Sequence, residues 1–471
     1  MKNSSLLLKY IIFDFLAASI SWISFFAFRK LYIEPLKFGY EIPFSPDSRF
    51  IMGLVIIPFF WISLYYLSGY YHDIMRKSRL EDAIMTFVQT FIGMILIFFF
   101  LILDDYVSSY KNYYLLFAFL FLTHFTLTLI IRWVLTTITV TKIKNRKTGF
   151  KTLIIGGNET AIRIYNDLTS QKISTGNIFI GFADIRQRKL NIVSGYLPLI
   201  GNLQNLDSIV NSNNIEEVIL ALDPEDYNEI NAILNKLAFC KVIIKAAPEM
   251  YAYLSGRVKM DHLYGTPLIQ VSRNLISPWQ DNIKNLIDIL ASIVALVTAA
   301  PIMLFITIGI KLTSPGPLIY SHERIGKFGK PFRIYKFRSM CVEAESKGPE
   351  LTKKDDKRLT NFGRFLRKFR LDEIPNFYNV LKGDMSIVGP RPERFYYIEK
   401  IIKIAPHYIH LQRVKPGITS WGQVKYGYAE NVEQMISRLS YDMMYIDNMS
   451  LFTDFKIVFY TFLTIVRGRG M

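Results

Sequence analysis

The sequence predicts a multi-domain membrane protein in four parts: a four-helix transmembrane bundle, a Rossmann-like α/β middle domain, a re-entrant membrane helix and a small α/β domain. Three observations predict it. Four apolar runs, each about 20 residues or longer, fill most of the first 140 residues, and such a run crosses a hydrocarbon core of roughly 30 Å as a helix. A fifth apolar run, with a proline in its middle, comes much later. The basic charge is concentrated: residues 311–425 hold 24 Lys and Arg against 11 Asp and Glu, so +13 of the formal +17 sits there.

The four early runs are about Leu6–Phe28, Ile51–Tyr71, Ala83–Leu103 and Tyr114–Thr137. No cleavage pattern precedes the first, so it is expected to stay as an anchor. With both termini inside, the inner flanks hold nine basic residues and the outer loops five. That bias favours a cytoplasmic exit. Asp14 inside the first span is expected to pack within the bundle rather than to serve function. Aromatic residues make up 15% of the 471 and the mean hydropathy is positive, as in a protein living partly in lipid. Cys240 and Cys341, with no metal-ligand cluster, fit a reducing compartment.

After the basic linker Thr141–Lys151 the pattern turns to soluble α/β. Lys151–Gly156, Glu217–Leu222 and Cys240–Ala246 read as buried strands with polar helical stretches between them. Gly156-Gly157-Asn158-Glu159-Thr160-Ala161 sits where a dinucleotide phosphate loop begins, but it reads G-x-N-x-x-A against the required G-x-G-x-x-G. A structural or regulatory module is therefore expected over a nucleotide site. The fifth run, Leu286–Ile310, carries Pro301, which removes an amide donor and crowds the preceding turn, so a kink or break is expected there. A helix that dips into one leaflet and returns keeps the following basic residues on the cytoplasmic side; a kinked fifth span is the alternative. The predicted divisions are 1–140, 141–275, 276–312 and 313–471.

The basic segment carries the chemistry. It reads Tyr335-Lys336-Phe337-Arg338-Ser339-Met340, then Leu366-Arg367-Lys368-Phe369-Arg370-Leu371-Asp372-Glu373-Ile374-Pro375-Asn376, then Asn379 through Gly389-Pro390-Arg391-Pro392-Glu393. A field this basic attracts nucleic acid, anionic headgroups or polyphosphate substrates. An adjacent Asp-Glu pair on a helix points about 100° apart, so Asp372 and Glu373 can divide labour, one as nucleophile and one as ligand to a hard cation. Arg367, Arg370 and Arg391 are fixed forks suited to phosphate oxygens. The prolines around Arg391 make it a rigid clamp. Phosphoryl transfer between two anions needs these parts, with Mg²⁺ and arginines neutralising the diphosphate.

On KFRSM, LDEIPNFYNVLKGDMSIVGPRPE and Lys415-Pro416-Gly417-Ile418-Thr419-Ser420-Trp421-Gly422-Gln423, the run from Lys311 to about Gly468 resembles the catalytic domain of the bacterial sugar transferases, the monotopic phosphoglycosyl transferases. The match covers roughly a third of the chain. The order of domains resembles the large subgroup that initiates polysaccharide or O-antigen assembly. The resemblance implies a monotopic catalytic domain that moves a hexose-1-phosphate from a UDP-sugar, UDP-glucose first, to polyprenyl phosphate with release of UMP. UDP-galactose and N-acetylated UDP-sugars stay open. It implies Asp372 as nucleophile forming a sugar-phosphoryl-aspartate, Glu373 holding Mg²⁺ beside it, and Arg391 on phosphate.

Lys336 and Arg338 are further phosphate candidates, or else a strand edge. Asp384 reads as a turn cap before it reads as catalytic. Thr419 and Gln423 are candidate nucleotide or sugar contacts. The family's re-entrant helix usually breaks at Ser-Pro where this chain has Ala300-Pro301, and Asn376 stands where Gln is common. The apolar stretch Leu451–Arg467 fits a membrane interface or a second subunit in a homodimer. The rival readings are a non-catalytic membrane nucleotide sensor and a membrane-tethered nucleic-acid binder. The second lacks a basic helix with interleaved stacking aromatics, so no nucleic-acid partner is expected.

Overall fold

A computed structural model of the chain describes residues 2–40, 46–102, 110–186, 192–247, 250, 259–260, 268–271, 275–341, 350, 356–427 and 429–466. These residues form two compact units, Met1–Gly149 with Lys172–Gly176, and the remainder from Phe150 to Met471.

The first unit is helical: α1 (Lys2–Phe28), α2 (Glu34–Phe38), α3 (Ser48–Leu67), α4 (Arg79–Ile97) and α5 (Tyr110–Lys144). Asp47 caps α3 by accepting from Phe50 N at 2.8 Å, and Ser78 caps α4 by accepting from Glu81 N at 3.1 Å, so each helix starts where its orphan amides find a side chain. The stretches Ser4–Leu36, Ser48–Leu67, Arg79–Leu101 and Tyr110–Lys144 are long and apolar enough to cross a membrane. Trp22, Trp61, Tyr65, Met94, Leu116 and Leu120 fill the interior between them. A polar network lies inside that core. Arg132 of α5 donates Nε and Nη2 to the two oxygens of Asp14 at 3.0 and 2.9 Å, and Nη1 to Thr86 and Gln89. Tyr71 donates to Asp14 as well. Asp14 thus packs within the bundle, as expected; a charge at that depth is tolerated because it is paired and hydrogen-bonded.

The second unit opens with a sheet. Its strands are β1 (Phe150–Ile155), β2 (Asn177–Asp184), β3 (Leu199–Asn202), β4 (Glu217–Leu220), β5 (Ile243–Ala246), β6 (Lys259–Met260) and β7 (Ile269–Gln270); α6 (Glu159–Ser170), α7 (Leu206–Ser212) and α8 (Ile230–Lys236) connect them. The order is β3-β2-β1-β4-β5-β7-β6, parallel through β5 and antiparallel beyond. The first five strands follow a Rossmann arrangement. Successive residues of β1 and β4 face opposite sides, and both sides are covered. Leu153, Ile155, Val218 and Leu220 pack with Ile209 and Ile233, while Ile154 and Ile219 pack with Ile164 and Leu168. The strands predicted around 151–156, 217–222 and 240–246 are present. β2 and β3 replace part of what was read as helical, because Gly181 and the polar ends Asn177 and Asp184 dilute the strand signal.

The unit continues with α9 (Pro278–Thr313), a hairpin of β8 (Ile319–Ile325) and β9 (Pro331–Phe337), α10 (Asn361–Lys368), α11 (Asn376–Lys382), β10 (Ser386–Val388), α12 (Phe395–Ile404), β11 (Gly417–Thr419), α13 (Trp421–Lys425), α14 (Val432–Asp447) and α15 (Leu451–Val466). Among its described residues this region is mainly helical with two two-stranded sheets, β8–β9 and β10–β11, rather than a continuous α/β sheet. α9 is also long and apolar enough to cross a membrane. At 36 residues and 1.5 Å per residue it is about 54 Å long if straight. Helical structure runs on through Pro301, so of the expected kink or break the break is absent. Near its start, Lys284 donates to Asp454 at 2.6 Å and to Val388 O at 2.9 Å, and Asp288 accepts from Ile387 N at 3.1 Å. Near its end, Ile306 and Ile310 pack against Phe337 and Leu366. Between them Val294, Val297, Leu304 and Phe305 are exposed. α15 buries Asp454 and Ile457 and exposes Phe452, Phe455, Phe459 and Phe462.

Candidate active site

The site is built on the β8–β9 hairpin, paired from Ile319↔Phe337 to Ile325↔Pro331. Side chains alternate across a strand, so Tyr320, His322, Arg324 and the opposed Lys336 share one face. Asn379 of α11 ties the next piece to this hairpin, donating to Arg333 O at 2.7 Å and accepting from Tyr335 N at 3.2 Å. Ahead of α11, Arg370 takes a left-handed conformation (φ 55°, ψ 24°), which costs a residue with a Cβ about 1–2 kcal/mol. That corner ends α10 and starts a 3-10 turn, Leu371–Glu373. The Asp-Glu pair therefore sits on a tight turn, not on the α-helix assumed from the sequence.

Asp372 and Glu373 are both buried, and their surroundings separate them. Burial pushes the Asp372 carboxyl up; Lys336 opposes this, and the neighbouring Glu373 adds to the rise. Burial acts on Glu373 in the same direction, but Lys336, Arg370 and Arg391 outweigh it and hold its carboxyl well below the usual range. Lys336 Nζ donates to Glu373 Oε1 at 2.5 Å, Arg370 Nη1 stands 3.8 Å from Oε2, and Arg391 Nη1 stands 4.0 Å from Oε1. Two adjacent carboxyls pushed apart in this way can play different parts.

Asp372 lines a cavity of about 230 Å³. Among the described residues, seven Lys and Arg side chains line it against three acids, Asp372, Glu350 and Glu393. Of the predicted phosphate ligands, Lys336, Arg338, Arg367 and Arg391 all reach this cavity, and Arg370 stands beside Glu373. Arg367 donates Nε to Ser339 Oγ at 2.9 Å, which orients its fork. Arg338 donates Nη1 to Pro315 O at 2.9 Å and Nη2 to Ser314 O at 2.6 Å, closing off the end of α9. Arg338 lines the cavity while its terminal nitrogens hold the fold together.

Thr419 and Gln423 are not among the cavity residues. Thr419 shares a hydrogen bond with Thr461 at 2.7 Å, and Gln423 sits at the first turn of α13, capped by Ser420. What their segment contributes is backbone. Gly389 N donates to Thr419 O at 3.0 Å and Gly417 N to Pro390 O at 2.9 Å, which pins the loop bearing Arg391. A Cβ on Gly417 would lie 2.1 Å from Gly389 N, so the two chains approach this closely only with glycine there. Asp384 is a turn residue as expected: its N–H donates to Asn379 O at 3.0 Å and Lys382 pairs with its carboxylate at 3.0 Å.

Sequence reasoning missed several of the lining residues. Arg438 of α14 donates to Glu393 Oε1 at 2.5 Å, and Arg324 donates to Glu393 Oε2 at 3.1 Å and to Pro392 O at 2.9 Å. Glu393 thereby ties β8 and α14 to the Pro-Arg-Pro loop. His322, Tyr320, Arg394 and the exposed Cys341 also line the cavity. Strand alternation from Lys336 back through the hairpin was the available signal for Tyr320, His322 and Arg324; nothing local marks Arg438.

Comparison with known proteins adds two family matches and a set of relatives, three of which follow. Residues 279–468 match the family described as bacterial sugar transferase, and residues 67–248 match the family described as CoA-binding domain. A UDP-N-acetylgalactosamine-undecaprenyl-phosphate N-acetylgalactosaminephosphotransferase of Aeromonas hydrophila is 40% identical over 256 residues, 54% of this chain and 60% of that protein. A UDP-glucose:undecaprenyl-phosphate glucose-1-phosphate transferase of Escherichia coli (strain K12) is 33% identical over 270 residues, 57% of this chain and 58% of that protein. The uncharacterized sugar transferase EpsL of Bacillus subtilis (strain 168) is 38% identical over 193 residues, 40% of this chain and 90% of that protein. The chain thus spans less than two thirds of the length of the first two relatives.

Proposed function

This chain belongs to the bacterial sugar transferase family, and from that membership we propose that it transfers a sugar-1-phosphate from a UDP-sugar to undecaprenyl phosphate, releasing UMP. The observation that carries the reading is Asp372: a buried carboxyl on the wall of a strongly basic cavity, with its neighbour Glu373 already neutralised by Lys336. In the first step an oxygen of Asp372 bonds to the β-phosphorus, and the bond from that phosphorus to the bridging oxygen breaks. The electron pair leaves with UMP. In the second step a phosphate oxygen of the lipid bonds to the same phosphorus, and the aspartyl–phosphorus bond breaks to restore the carboxylate. Arg367 and Arg391 hold phosphate oxygens and offset the repulsion between anions.

The residues fit a Mg²⁺. Glu373 Oε2 is buried without a hydrogen-bond partner among the described residues, and a hard cation takes carboxylate oxygen with the rest of its shell from water and substrate phosphate. Bound there by Glu373 with Asp372, it would neutralise diphosphate charge. The middle domain fits coenzyme A less well. Asn158 already caps α6, accepting from Ala161 N at 2.9 Å, and it donates to Asp223 at 2.7 Å with Glu159 beside it. A diphosphate would meet carboxylates where bare amides are needed, and no step runs through that cofactor.

The 40% identity to a relative named for UDP-N-acetylgalactosamine sets that donor beside UDP-glucose and UDP-galactose. The test is a UMP-release screen across these donors with undecaprenyl phosphate and Mg²⁺ in membranes. Turnover with at least one donor is expected, lost with EDTA and restored by Mg²⁺; no UMP from any donor sinks the reading.

We read α9 as re-entrant, with the catalytic region on the cytoplasmic face of a bacterial inner membrane. The support is that both ends of the helix pack on the same domain, Lys284 on Asp454 and Ile310 on Phe337 and Leu366. A straight span would put those ends on opposite faces of the bilayer. In a Cys240→Ser, Cys341→Ser background, Asp281→Cys and Leu312→Cys should both react with an impermeant maleimide from one side. Labelling from opposite sides refutes re-entry.

A further inference from the structure

On β8, His322 projects to the same face as Arg324 and lines the cavity that holds Asp372. Arg324 Nε donates to His322 Nε2 at 2.6 Å. A guanidinium has only donors, so Nε2 is the acceptor and the ring proton sits on Nδ1. Burial, reinforced by Arg324, Arg394, Lys336 and Arg391, keeps the ring uncharged. The arrangement is braced, since Arg324 also holds Glu393 and Pro392 O, and Arg438 holds Glu393 from the other side. Nδ1 is buried with no hydrogen-bond partner among the described residues, and a buried N–H left unpaired is costly.

Resting on the transferase reading, we propose that His322 Nδ1–H donates to an uncharged oxygen of the donor's sugar, a hydroxyl or an acyl carbonyl, and so helps to select the sugar. In that reading the cations Arg367 and Arg391 already serve the diphosphate. A neutral, oriented donor instead suits a neutral acceptor, and a site built to hydrogen-bond a substrate group rejects analogues that lack it.

The full chain in membranes, with undecaprenyl phosphate and Mg²⁺, gives the test. kcat/KM is measured for UDP-glucose, UDP-galactose and UDP-N-acetylgalactosamine, and inhibition is measured with UDP, which has no sugar. His322→Phe should lower kcat/KM for the preferred donor by about tenfold relative to the others, with inhibition by UDP unchanged. His322→Gln, which keeps an N–H, should recover most of the loss. If His322→Phe melts early, the same ratios are read on His322→Ala. Donor ratios that match wild type, or a UDP inhibition constant weakened as much as the sugar-nucleotide KM, overturn the proposal. Wild type that releases no UMP from any donor removes the transferase reading and this inference together. Active wild type with an indifferent His322→Phe removes only this one.

Discussion

Asp372→Asn is expected to abolish UMP release, by at least ~10³-fold, because an amide cannot replace a carboxylate as nucleophile. The variant should not unfold. Burial has pushed the Asp372 carboxyl up, so the folded state favours its acid form. The stability this gives is present below the unfolded value and is lost as pH rises through the raised one. At neutral pH the ionised side chain therefore opposes folding, and its amide isostere should melt at the same temperature or higher. The same shift sets a pH dependence. The attacking form is the carboxylate, so kcat/KM should fall on the acid side at a pH above the ordinary Asp value of about 3.9. Rapid quench with sugar-labelled donor and no acceptor should leave label on position 372 in wild type and none in the variant. Full turnover in Asp372→Asn, or label on another residue, would sink the covalent mechanism.

Glu373→Gln should also cost activity, on the order of 10²-fold, and it should raise the Mg²⁺ concentration needed for half-maximal rate. Its effect on stability has the opposite sign. Lys336, Arg370 and Arg391 converge on this carboxylate, the first at 2.5 Å, and removing it leaves cations without their counter-charge in a partly dry site. Breaking a buried pair from one side costs on the order of 3 kcal/mol. Because the Glu373 carboxyl is held below its usual range, its contribution is present above the unfolded value of about 4.3 and fades as pH falls. Wild type should therefore lose stability into acid more steeply than Glu373→Gln. Two adjacent carboxylates with opposite effects on melting temperature would be hard to explain as surface acids. Equal and small shifts for both would contradict the electrostatic division drawn between them.

Much of this site was legible before any fold was known, because its key text is contiguous. Asp372, Glu373, Arg367 and Arg370 lie within seven residues, and Arg391 is set between prolines. Lys336 was only a weak candidate from the strand pattern, yet it makes the shortest contact to Glu373 from 37 residues away. Arg338 looked equivalent to Lys336 and is not, since its fork is taken up by the carbonyls of Ser314 and Pro315. Thr419 and Gln423 looked like pocket residues from their motif; the Thr419 hydroxyl instead shares a hydrogen bond with Thr461, the Gln423 backbone N–H donates to the Ser420 cap, and the segment serves the site through its backbone. Pro301 lacks the amide that would continue a helix, yet the helix continues through it. One missing hydrogen bond is outweighed by the turns on either side.

The sequence by itself determined the properties that depend on neighbours along the chain: which runs are apolar enough for lipid, where the Rossmann-like strands fall, and that one short stretch holds a carboxylate pair among cations. Only the tertiary structure decided which cation meets which carboxylate. Glu393 meets Arg438 across 45 residues and Arg324 across 69, and Arg132 finds Asp14 across 118. Periodicity and composition are local signals, whereas Coulomb and hydrogen-bond energies depend on distance in space. Packing, which brings β8, α14 and the Arg391 loop together, creates that distance.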